Sequence, residues 1–463
     1  MSPNWLVRKP AAKAALILPV LLGFAGCSSS VYRPAGPPPT DTVTFPTAST
    51  QGWLQQYGTG YVSTGRPSHN GDTAYGEATD PQGNVVVLDQ TYGAFPGFSN
   101  NGSAQIAVVK FDRTGNRIWT QQLGTGTRDE ASAIAIDAQG NIFVAGSTRG
   151  AFPGFTNSNN MEQCVVIKLN SSGQTTWMQQ FPSGLACQVT SLAVDAQGNV
   201  VVGSENLTNG SYGNNNQGAA IGKLAGATGA TIWNQEYAGT YMASYGVTGV
   251  AVDNQNNVIA VGDFPSMASS SSTTYMVAKL DGSTGNTVWQ QIPVTYAPLG
   301  GQKLVYTQVA LDAQGDIFVG GSDPSSGYNR CAVAELANNS GSQQWQQEFG
   351  AAQTCIPGNL ATDTAGNVLM TGNMFHPFFS NSNPPNTDDV FLAKLSTGGQ
   401  AVWLQQFGTG RDIVGGASYT ASLMFVATDS QNHAYVAGTT TGAFPSFTNP
   451  SNVNMLFVTQ FGP

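Results

Sequence analysis

Side chains capable of acid–base or metal chemistry are few and scattered in this sequence. The three histidines, His69, His376 and His433, stand in three different settings and share no metal-ligand spacing with the cysteines. Asp388 and Asp389 are adjacent carboxylates, but neighbours on a strand point to opposite faces, so we expect a solvated pair or a weak cation contact. No His-Glu-x-x-His, Gly-x-Ser-x-Gly or P-loop motif is present. The sequence therefore predicts a protein that is not an enzyme and that holds no metal or cofactor.

Arginine, histidine, tyrosine and phenylalanine side chains in longer connecting segments are better suited to recognition. Varied loops on a rigid scaffold commonly carry binding residues. Two insertions, around residues 57–75 and 407–421, and several Phe-Pro-x-Phe loops supply these side chains. The alternative for the Phe-Pro-x-Phe loops is that their rings tuck between structural units, which would leave the insertions as the better contacts. The candidate binding residues are Arg66, His69, Phe98, Phe155, His376, Arg411, Tyr419 and Phe447.

The elements that would position these residues repeat along the chain. Seven of the eight tryptophans recur about every 56 to 66 residues, a period typical of propellers and solenoids. Each repeat has four short apolar or β-branched runs separated by turns that contain Gly, and none shows helical periodicity. The predicted fold is all-β, a seven-bladed β-propeller of four-stranded antiparallel blades. The repeating tryptophans are Trp53, Trp119, Trp177, Trp233, Trp289, Trp345 and Trp403.

An aspartate ends the first predicted strand of every repeat. Each stands beside a short turn, where its side chain can cap local backbone N–H groups. The run of oxygen ligands found in an EF-hand calcium loop is missing. His433 takes a turn position that is normally Asn, so we expect it to serve the turn. The seven aspartates are Asp80, Asp137, Asp195, Asp253, Asp312, Asp363 and Asp429.

The two ends of the repeat array complement each other. It starts with a fourth-strand sequence around Trp53 and stops after a third-strand sequence around Phe457. Pairing these strands would close the ring and leave only short, protected edges. The amino-terminal strand is therefore predicted to complete the last blade. In such a ring the longer connections, between strands two and three and from strand four to the next blade, share one face, here called the varied face.

The repeats resemble the bacterial β-propeller repeat family called SBBP along residues 51–463. The resemblance rests on Gly-Ala-Phe-Pro-Gly-Phe at 93–98 and 150–155, Ala-Val-Asp-Ala-Gln-Gly-Asn at 193–199, and the Thr-Gly-x-x-x-Trp endings. It implies a propeller fold and an extracytoplasmic setting. It implies no particular activity, because one fold supports many functions.

The first residues of the chain predict export and a lipid anchor. Three basic residues precede an apolar run over residues 14–24, which is the pattern of a signal peptide. The run ends in Phe24-Ala25-Gly26-Cys27, which resembles the bacterial lipobox, where cleavage precedes a cysteine that is then acylated. The alternative is an ordinary signal peptide cleaved near Ala25, with Cys27 incidental.

Three segments follow from this interpretation. Residues 1–26 form the lipoprotein signal peptide, residues 27–50 a lipidated cysteine with a Pro/Ser-rich tether, and residues 51–463 the propeller. The expected location is the cell envelope, with the lipid anchored in the outer membrane and the propeller periplasmic or surface-exposed.

The four remaining cysteines predict two disulfides. An even number of cysteines in an exported chain favours pairing. Cys164 and Cys187 flank the tryptophan of one repeat in the way that Cys331 and Cys355 flank the tryptophan of another. We therefore expect Cys164 to pair with Cys187 and Cys331 with Cys355. Each bond would tie a third strand to the connection that leaves the fourth strand of the same blade.

The charge of the chain argues against nucleic acid as a partner. Its 17 basic and 26 acidic residues give a net charge of −9, and loss of the three basic signal residues would bring this to about −12.

The predicted function is a non-enzymatic, monomeric envelope lipoprotein that binds or scaffolds a protein or an envelope glycan. The alternative is a propeller-based carbohydrate-active enzyme, either a lyase or a hydrolase. His, Tyr, Arg and carboxylates converging at the mouth of the central channel would favour the enzyme, and a mouth of Ser, Asn and Gly would favour binding.

Overall fold

The computed structural model describes residues 50–463 apart from short gaps. None of the described segments is a helix of the length and hydropathy that crossing a bilayer requires. The signal peptide and most of the tether lie outside the described residues. The gaps within 50–463 are residues 64–70, 159, 182–184, 209–215, 238–245, 264–274, 292–304, 324–329, 350–354, 375–388, 409–423 and 452.

The described strands form seven four-stranded antiparallel sheets, and each sheet is one blade. In blades 1 to 6 the four strands follow chain order, and the first strands of neighbouring blades contact each other around the ring. In chain order the strands are β1 (Gln51–Tyr57); in blade 1, β2 (Asp72–Thr79), β3 (Val85–Thr91), β4 (Gln105–Phe111) and β5 (Arg117–Leu123); in blade 2, β6 (Asp129–Ile136), β7 (Ile142–Thr148), β8 (Gln163–Leu169) and β9 (Thr175–Phe181); in blade 3, β10 (Leu185–Val194), β11 (Val200–Thr208), β12 (Asn216–Leu224) and β13 (Thr231–Tyr237); in blade 4, β14 (Gly246–Val252), β15 (Val258–Asp263), β16 (Tyr275–Leu280) and β17 (Thr287–Gln291); in blade 5, β18 (Val305–Leu311), β19 (Ile317–Asp323), β20 (Arg330–Leu336) and β21 (Gln343–Phe349); in blade 6, β22 (Cys355–Thr362), β23 (Val368–Met374), β24 (Asp389–Leu395) and β25 (Ala401–Phe407); and in blade 7, β26 (Phe425–Thr428), β27 (Ala434–Thr440) and β28 (Met455–Phe461).

The hydrophobic cores lie between neighbouring blades. The second and third strands carry nearly continuous apolar runs, and every residue of β3 and β4 is buried, because each of these strands packs against a blade on both sides. The outer strands begin with two exposed residues and continue with mostly half-buried ones. This division explains why β-branched runs in the sequence mark the middle of each blade.

The amino-terminal strand closes the ring, as the sequence predicts. β1 pairs antiparallel with β28, with Leu54 opposite Thr459 and Tyr57 opposite Leu456. The sheet order of blade 7 is therefore β1-β28-β27-β26. Trp53 of β1 then donates its indole N–H to the Arg113 carbonyl of blade 1 over 2.8 Å, so the seam joins two blades as well as completing one.

Tryptophans dock six of the seven blades onto the next. Six indole N–H groups donate to a carbonyl in the turn between the third and fourth strands of the following blade, over 2.8 to 3.2 Å. The turn glycine lies beneath the ring: Gly115 has φ +89°, and a Cβ there would lie 2.7 Å from the Trp53 ring. Both the backbone conformation and the close approach require glycine. The repeated Thr-Gly-x-x-x-Trp pattern thus encodes contact between blades.

The aspartate turns carry a buried ion pair in most blades. Asp80 Oδ1 accepts the backbone N–H groups of Gln82 and Asn84, both over 2.9 Å, and its Oδ2 lies 2.8 Å from the Lys110 ammonium. Burial works to raise the pKa of Asp80, but hydrogen bonds from Lys110 and Asn84 outweigh it and lower the pKa. The predicted capping role is confirmed. His433 likewise bonds Asp429 over 2.9 Å within its turn.

Blade 5 departs from this arrangement. Asp316 stands where the turns of blades 1, 2, 3, 4 and 6 have Asn, and Glu335, opposite Trp345, stands where the same five blades have Lys. Burial and the negative charge of Asp312 raise the pKa of Asp316, and burial also raises the pKa of Glu335. Within the described part of the chain, however, no group of three or more His, Cys, Asp or Glu residues could hold a metal ion.

A disulfide joins Cys331 to Cys355, with Cα atoms 5.5 Å apart, and this is the pairing that the repeat register predicts. The expected placement of the second cysteine is wrong, however. Cys355 is the first residue of β22 in blade 6, so the bond ties the third strand of blade 5 to the next blade. Cys164 of β8 is also disulfide-bonded, and Cys187 lies in β10 of blade 3, although its side chain is outside the described residues.

Candidate functional site

The Phe-Pro-x-Phe loops on the varied face are held by outer-strand glutamines. The Gln122 side chain accepts the Phe95 backbone N–H over 3.0 Å and donates to the Gly93 carbonyl over 2.9 Å. Gln180 clamps the loop of blade 2 and Gln56 that of blade 7 in the same way. These contacts fix three loops on the varied face to the rigid blades.

The two rings of each loop differ in burial. The first ring is buried, with Phe95, Phe152 and Phe444 only 2 to 4% exposed. The second rings belong to the candidate binding residues Phe98, Phe155 and Phe447 and are half-buried. The rings of Phe155 and Phe447 pack against the hydrophobic cores between blades. The tucked-ring alternative is therefore confirmed for the first ring. The second rings remain partly accessible at Phe98, Phe155 and Phe447.

The other candidate binding residues lie outside the described residues. These are Arg66, His69, His376, Arg411 and Tyr419. Asp388 is outside them as well. Its neighbour Asp389 is only 1% exposed and accepts a hydrogen bond from Gln406, so the expected solvated carboxylate is wrong for Asp389.

A cluster of charged and aromatic residues lies on the varied face of blades 1 and 2, and we call it the mouth cluster. Its carboxyl groups come from β6 and from the residue before β8, and its guanidinium groups stand just outside β6 and β7. The innermost and second strands of both blades end here, where the central channel of a propeller opens. The members of the mouth cluster are Tyr75, Tyr92, Arg128, Glu130, Arg149 and Glu162.

Ion pairs and hydrogen bonds hold the mouth cluster together. Arg128 pairs with Glu130, and Arg149 Nη2 lies 3.3 Å from Glu162 Oε2. The other Glu162 oxygen accepts the Ser147 hydroxyl over 2.7 Å, and the Arg149 backbone N–H donates to the Arg128 carbonyl over 2.9 Å. Both guanidinium side chains are about half exposed, at 50% and 49%. The cluster thus combines fixed geometry with free hydrogen-bonding surface.

The two carboxyl groups of the cluster have opposite pKa shifts. Burial raises the pKa of Glu130, and contact with the Glu162 carboxyl raises it further, while Arg128 opposes both effects. Burial also disfavours the charged form of Glu162, but Ser147 and the two guanidinium groups outweigh it, so its pKa is lowered. Burial and the nearby Glu130 raise the pKa of Tyr75 to about 12. There is therefore a pH range in which Glu130 is protonated while Glu162 is ionised.

Sequence reasoning missed the mouth cluster. Glu130 and Glu162 lie far apart along the chain, and no motif connects them. A usable signal was the local density of charge. Only 9% of the chain is charged, yet the loops of blade 2 that face the varied side hold Arg128, Glu130, Arg149 and Glu162.

An open cavity of about 510 Å³ lies at the junction of blades 7 and 1. Its lining includes Gln55, Tyr57, Phe111 and Arg117, which belong to the ring-closing strand and to the outer hairpin of blade 1. No carboxylate lines it. We therefore assign the candidate site to the mouth cluster.

The fold defines the chain as a seven-bladed β-propeller. Residues 118–153 match the SBBP β-propeller repeat family, and the resemblance to the bacterial β-propeller repeat family is confirmed. No curated protein matches the chain significantly in sequence.

Several solved structures are similar to this chain at low identity. BamB from Moraxella catarrhalis is 17% identical, with 89% of this chain and 100% of that one covered and a TM-score of 0.39. The Pan2 WD40 domain of Neurospora crassa is 9% identical, with 91% and 98% covered and a TM-score of 0.48. A protein of unknown function from Bacteroides caccae is 14% identical, with 73% and 94% covered and a TM-score of 0.39. We draw no conclusion about activity or ligand from these likenesses.

Proposed function

We propose that this protein is a non-enzymatic binding or scaffolding module of the cell envelope and that it binds its partner on the varied face. The mouth cluster is the observation that carries this proposal. Its half-exposed guanidinium groups stand on loops that are tied to rigid blades, so little conformational entropy is lost when a partner is bound. Positioned polar groups of this kind give a binding site its specificity.

A carbohydrate-active enzyme is the second candidate, and the same cluster is the observation that favours it. Tyr, Arg and carboxyl groups do converge at the channel mouth, although no described histidine joins them. A hydrogen bond between the Glu130 and Glu162 carboxyl groups is one cause of the raised pKa of Glu130, however, so the two groups lie side by side. Glycosidases hold their two carboxyl groups about 5 Å apart or more, with room for a sugar bond or a water between them. This contact favours binding over hydrolysis.

The binding role can be tested by capture from envelope extracts. The immobilised full chain should retain a partner that an Arg128→Gln/Arg149→Gln variant loses, because the double change removes both half-exposed donors. An Arg117→Gln variant, altered on the outer strand β5, should retain the partner as the parent does. Equal capture by all three proteins, or capture by none, would contradict binding at the varied face.

We also propose that Cys27 anchors the chain in a membrane through acyl chains. Buried acyl chains contribute about 0.8 kcal/mol per methylene, so two or three chains hold a soluble domain on a bilayer. A Cys27→Ala variant should therefore move from the membrane fraction to the soluble fraction and take up no labelled palmitate. Its folded propeller should melt as the parent does. Unchanged membrane association would show that the anchor lies elsewhere.

A further inference from the structure

We propose that the mouth cluster binds an uncharged, polyhydroxylated sugar unit of an envelope glycan. This inference rests on the proposed binding function and names the chemistry of its ligand. The cluster offers donors and acceptors side by side, because each guanidinium group lies against a carboxyl group. A guanidinium carries five N–H donors and a carboxylate about four acceptor positions, so each ion pair leaves capacity for further hydrogen bonds. Neighbouring sugar hydroxyls both donate and accept, and they match such an alternating surface.

The charge balance of the cluster selects against charged ligands. Two guanidinium groups face two carboxyl groups, so the cluster has no large excess of either sign. A phosphate or uronate would have to displace Glu130 or Glu162 from its arginine. A cation would have to displace an arginine from its carboxylate. A neutral polyol needs neither exchange, because it can use the hydrogen-bonding positions that the ion pairs leave open.

Two tyrosines complete the surface beside Glu130. Burial and the charge of Glu130 raise the pKa of Tyr92, and Gln90 donates to the Tyr92 hydroxyl over 3.4 Å. Tyr75 packs between blades 1 and 2. A tyrosine combines an apolar ring with a polar tip, which suits a sugar that has C–H groups on one face and hydroxyls at its edge.

In the described part of the varied face, few large apolar side chains are well exposed. Protein interfaces are built around an apolar and aromatic core. The large apolar side chains that are well exposed in the described residues are Val62, Ile118, Ile232 and Val288, and the last three lie on outer strands. Only Val62 belongs to a connection on the varied face. A glycan, which binds through hydrogen bonds and ring contacts, therefore fits these observations better than a protein does.

The test is direct binding of defined oligosaccharides to the full chain in detergent. The probes are neutral hexose oligosaccharides, with uronate-containing and phosphorylated oligosaccharides of matched length. We expect binding to at least one neutral probe, a loss of at least tenfold in affinity for Arg149→Gln and for Glu162→Gln, and no change for Arg117→Gln. Circular dichroism should confirm that each variant is folded, and Arg149→Lys, which keeps charge without the planar donor fork, should recover only part of the affinity.

Three outcomes would overturn the inference. Preference for the acidic probes would show that the arginines are available to anions. Neutral binding that the cluster variants leave unchanged would place the sugar elsewhere. No glycan binding, with capture of a protein that depends on Arg128 and Arg149, would refute the sugar and leave the proposed function standing. If neither glycan nor protein is retained, the proposed function fails as well.

Discussion

Deletion of residues 51–58 should abolish cooperative unfolding of the propeller. The deleted segment contains β1, so blade 7 would lose its outer strand and β28 would present an unpaired edge. The docking bond from Trp53 to the Arg113 carbonyl and the Gln56 clamp on the Phe444 loop would be lost with it. Loss of one fully buried aromatic side chain costs about 3–5 kcal/mol. The deletion removes two half-buried ones, Trp53 and Tyr57, together with a whole strand, and domains are stable by only about 5–15 kcal/mol. We expect a broad transition and aggregation on heating.

Differential scanning calorimetry and light scattering measure this effect. The matched control deletes residues 41–48, which removes the same length from the predicted tether and should leave the melting curve unchanged. A Trp53→Phe/Gln56→Leu variant should fall between the two, since it keeps the strand pairing and loses the side-chain bonds. A protein without residues 51–58 that melts as sharply as its parent would refute closure by β1.

The ring and its closure were predictable because their signals are local. Each turn needs a glycine or an aspartate cap within a few residues, and each repeating tryptophan from Trp119 to Trp403 follows the turn glycine of its own hairpin by four residues. The number of times that these signals recur along the chain gives the number of blades. Complementary ends at Trp53 and Phe457 then fix the partner of the first strand.

The starts of the inner strands were less predictable. β10 and β22 begin several residues before the alternating apolar residues by which the sequence marks the first strand of a blade, so Cys187 and Cys355 belong to the following blade.

The mouth cluster was missed for a different reason. Its ion pairs are local, but the contacts from Arg149 to Arg128 and from Glu162 to Glu130 join connections of blade 2 that are separated by the β6–β7 hairpin, and its tyrosines come from the neighbouring blade. Such convergence is a property of the assembled ring and has no pattern along the chain.

The seam between blades 7 and 1 contains carboxyl groups that no other blade junction has at these positions. Glu77 pairs with Val87 at a register where the other innermost strands have an aliphatic side chain. Burial raises the pKa of Glu77 well above its usual value, and a hydrogen bond from the Ala437 backbone offsets only part of this. Burial and the charge of Asp72 likewise raise the pKa of Asp89. The equivalent aliphatic residues are Ile134, Leu192, Val250, Val309, Leu360 and Val426.

A Glu77→Leu variant should be more stable than its parent, and the gain should grow with pH. A carboxyl group whose pKa is higher in the folded state binds more protons there than in the unfolded state. Stability is therefore lost as pH rises from the unfolded pKa, about 4.3, through the higher folded pKa. Leucine removes this loss and restores the aliphatic contact found in the other blades. Replacing buried ion pairs by hydrophobic side chains of similar volume often stabilises a protein, by up to about 4 kcal/mol.

Chemical denaturation of parent and variant between pH 5 and pH 9 tests the prediction at the seam. The free energies of unfolding of parent and variant should be closest at pH 5 and should differ more towards pH 9. Only the parent has a carboxyl group at position 77, and its folded state loses stability as rising pH removes the proton. The reciprocal control is Leu360→Glu, which places a carboxyl group at the same register of blade 6, where Leu360 is only 6% exposed, and should create the pH-dependent loss there. A Glu77→Leu variant that is less stable than its parent at pH 9 would show that the carboxyl group stabilises the seam, through a partner that leucine cannot replace.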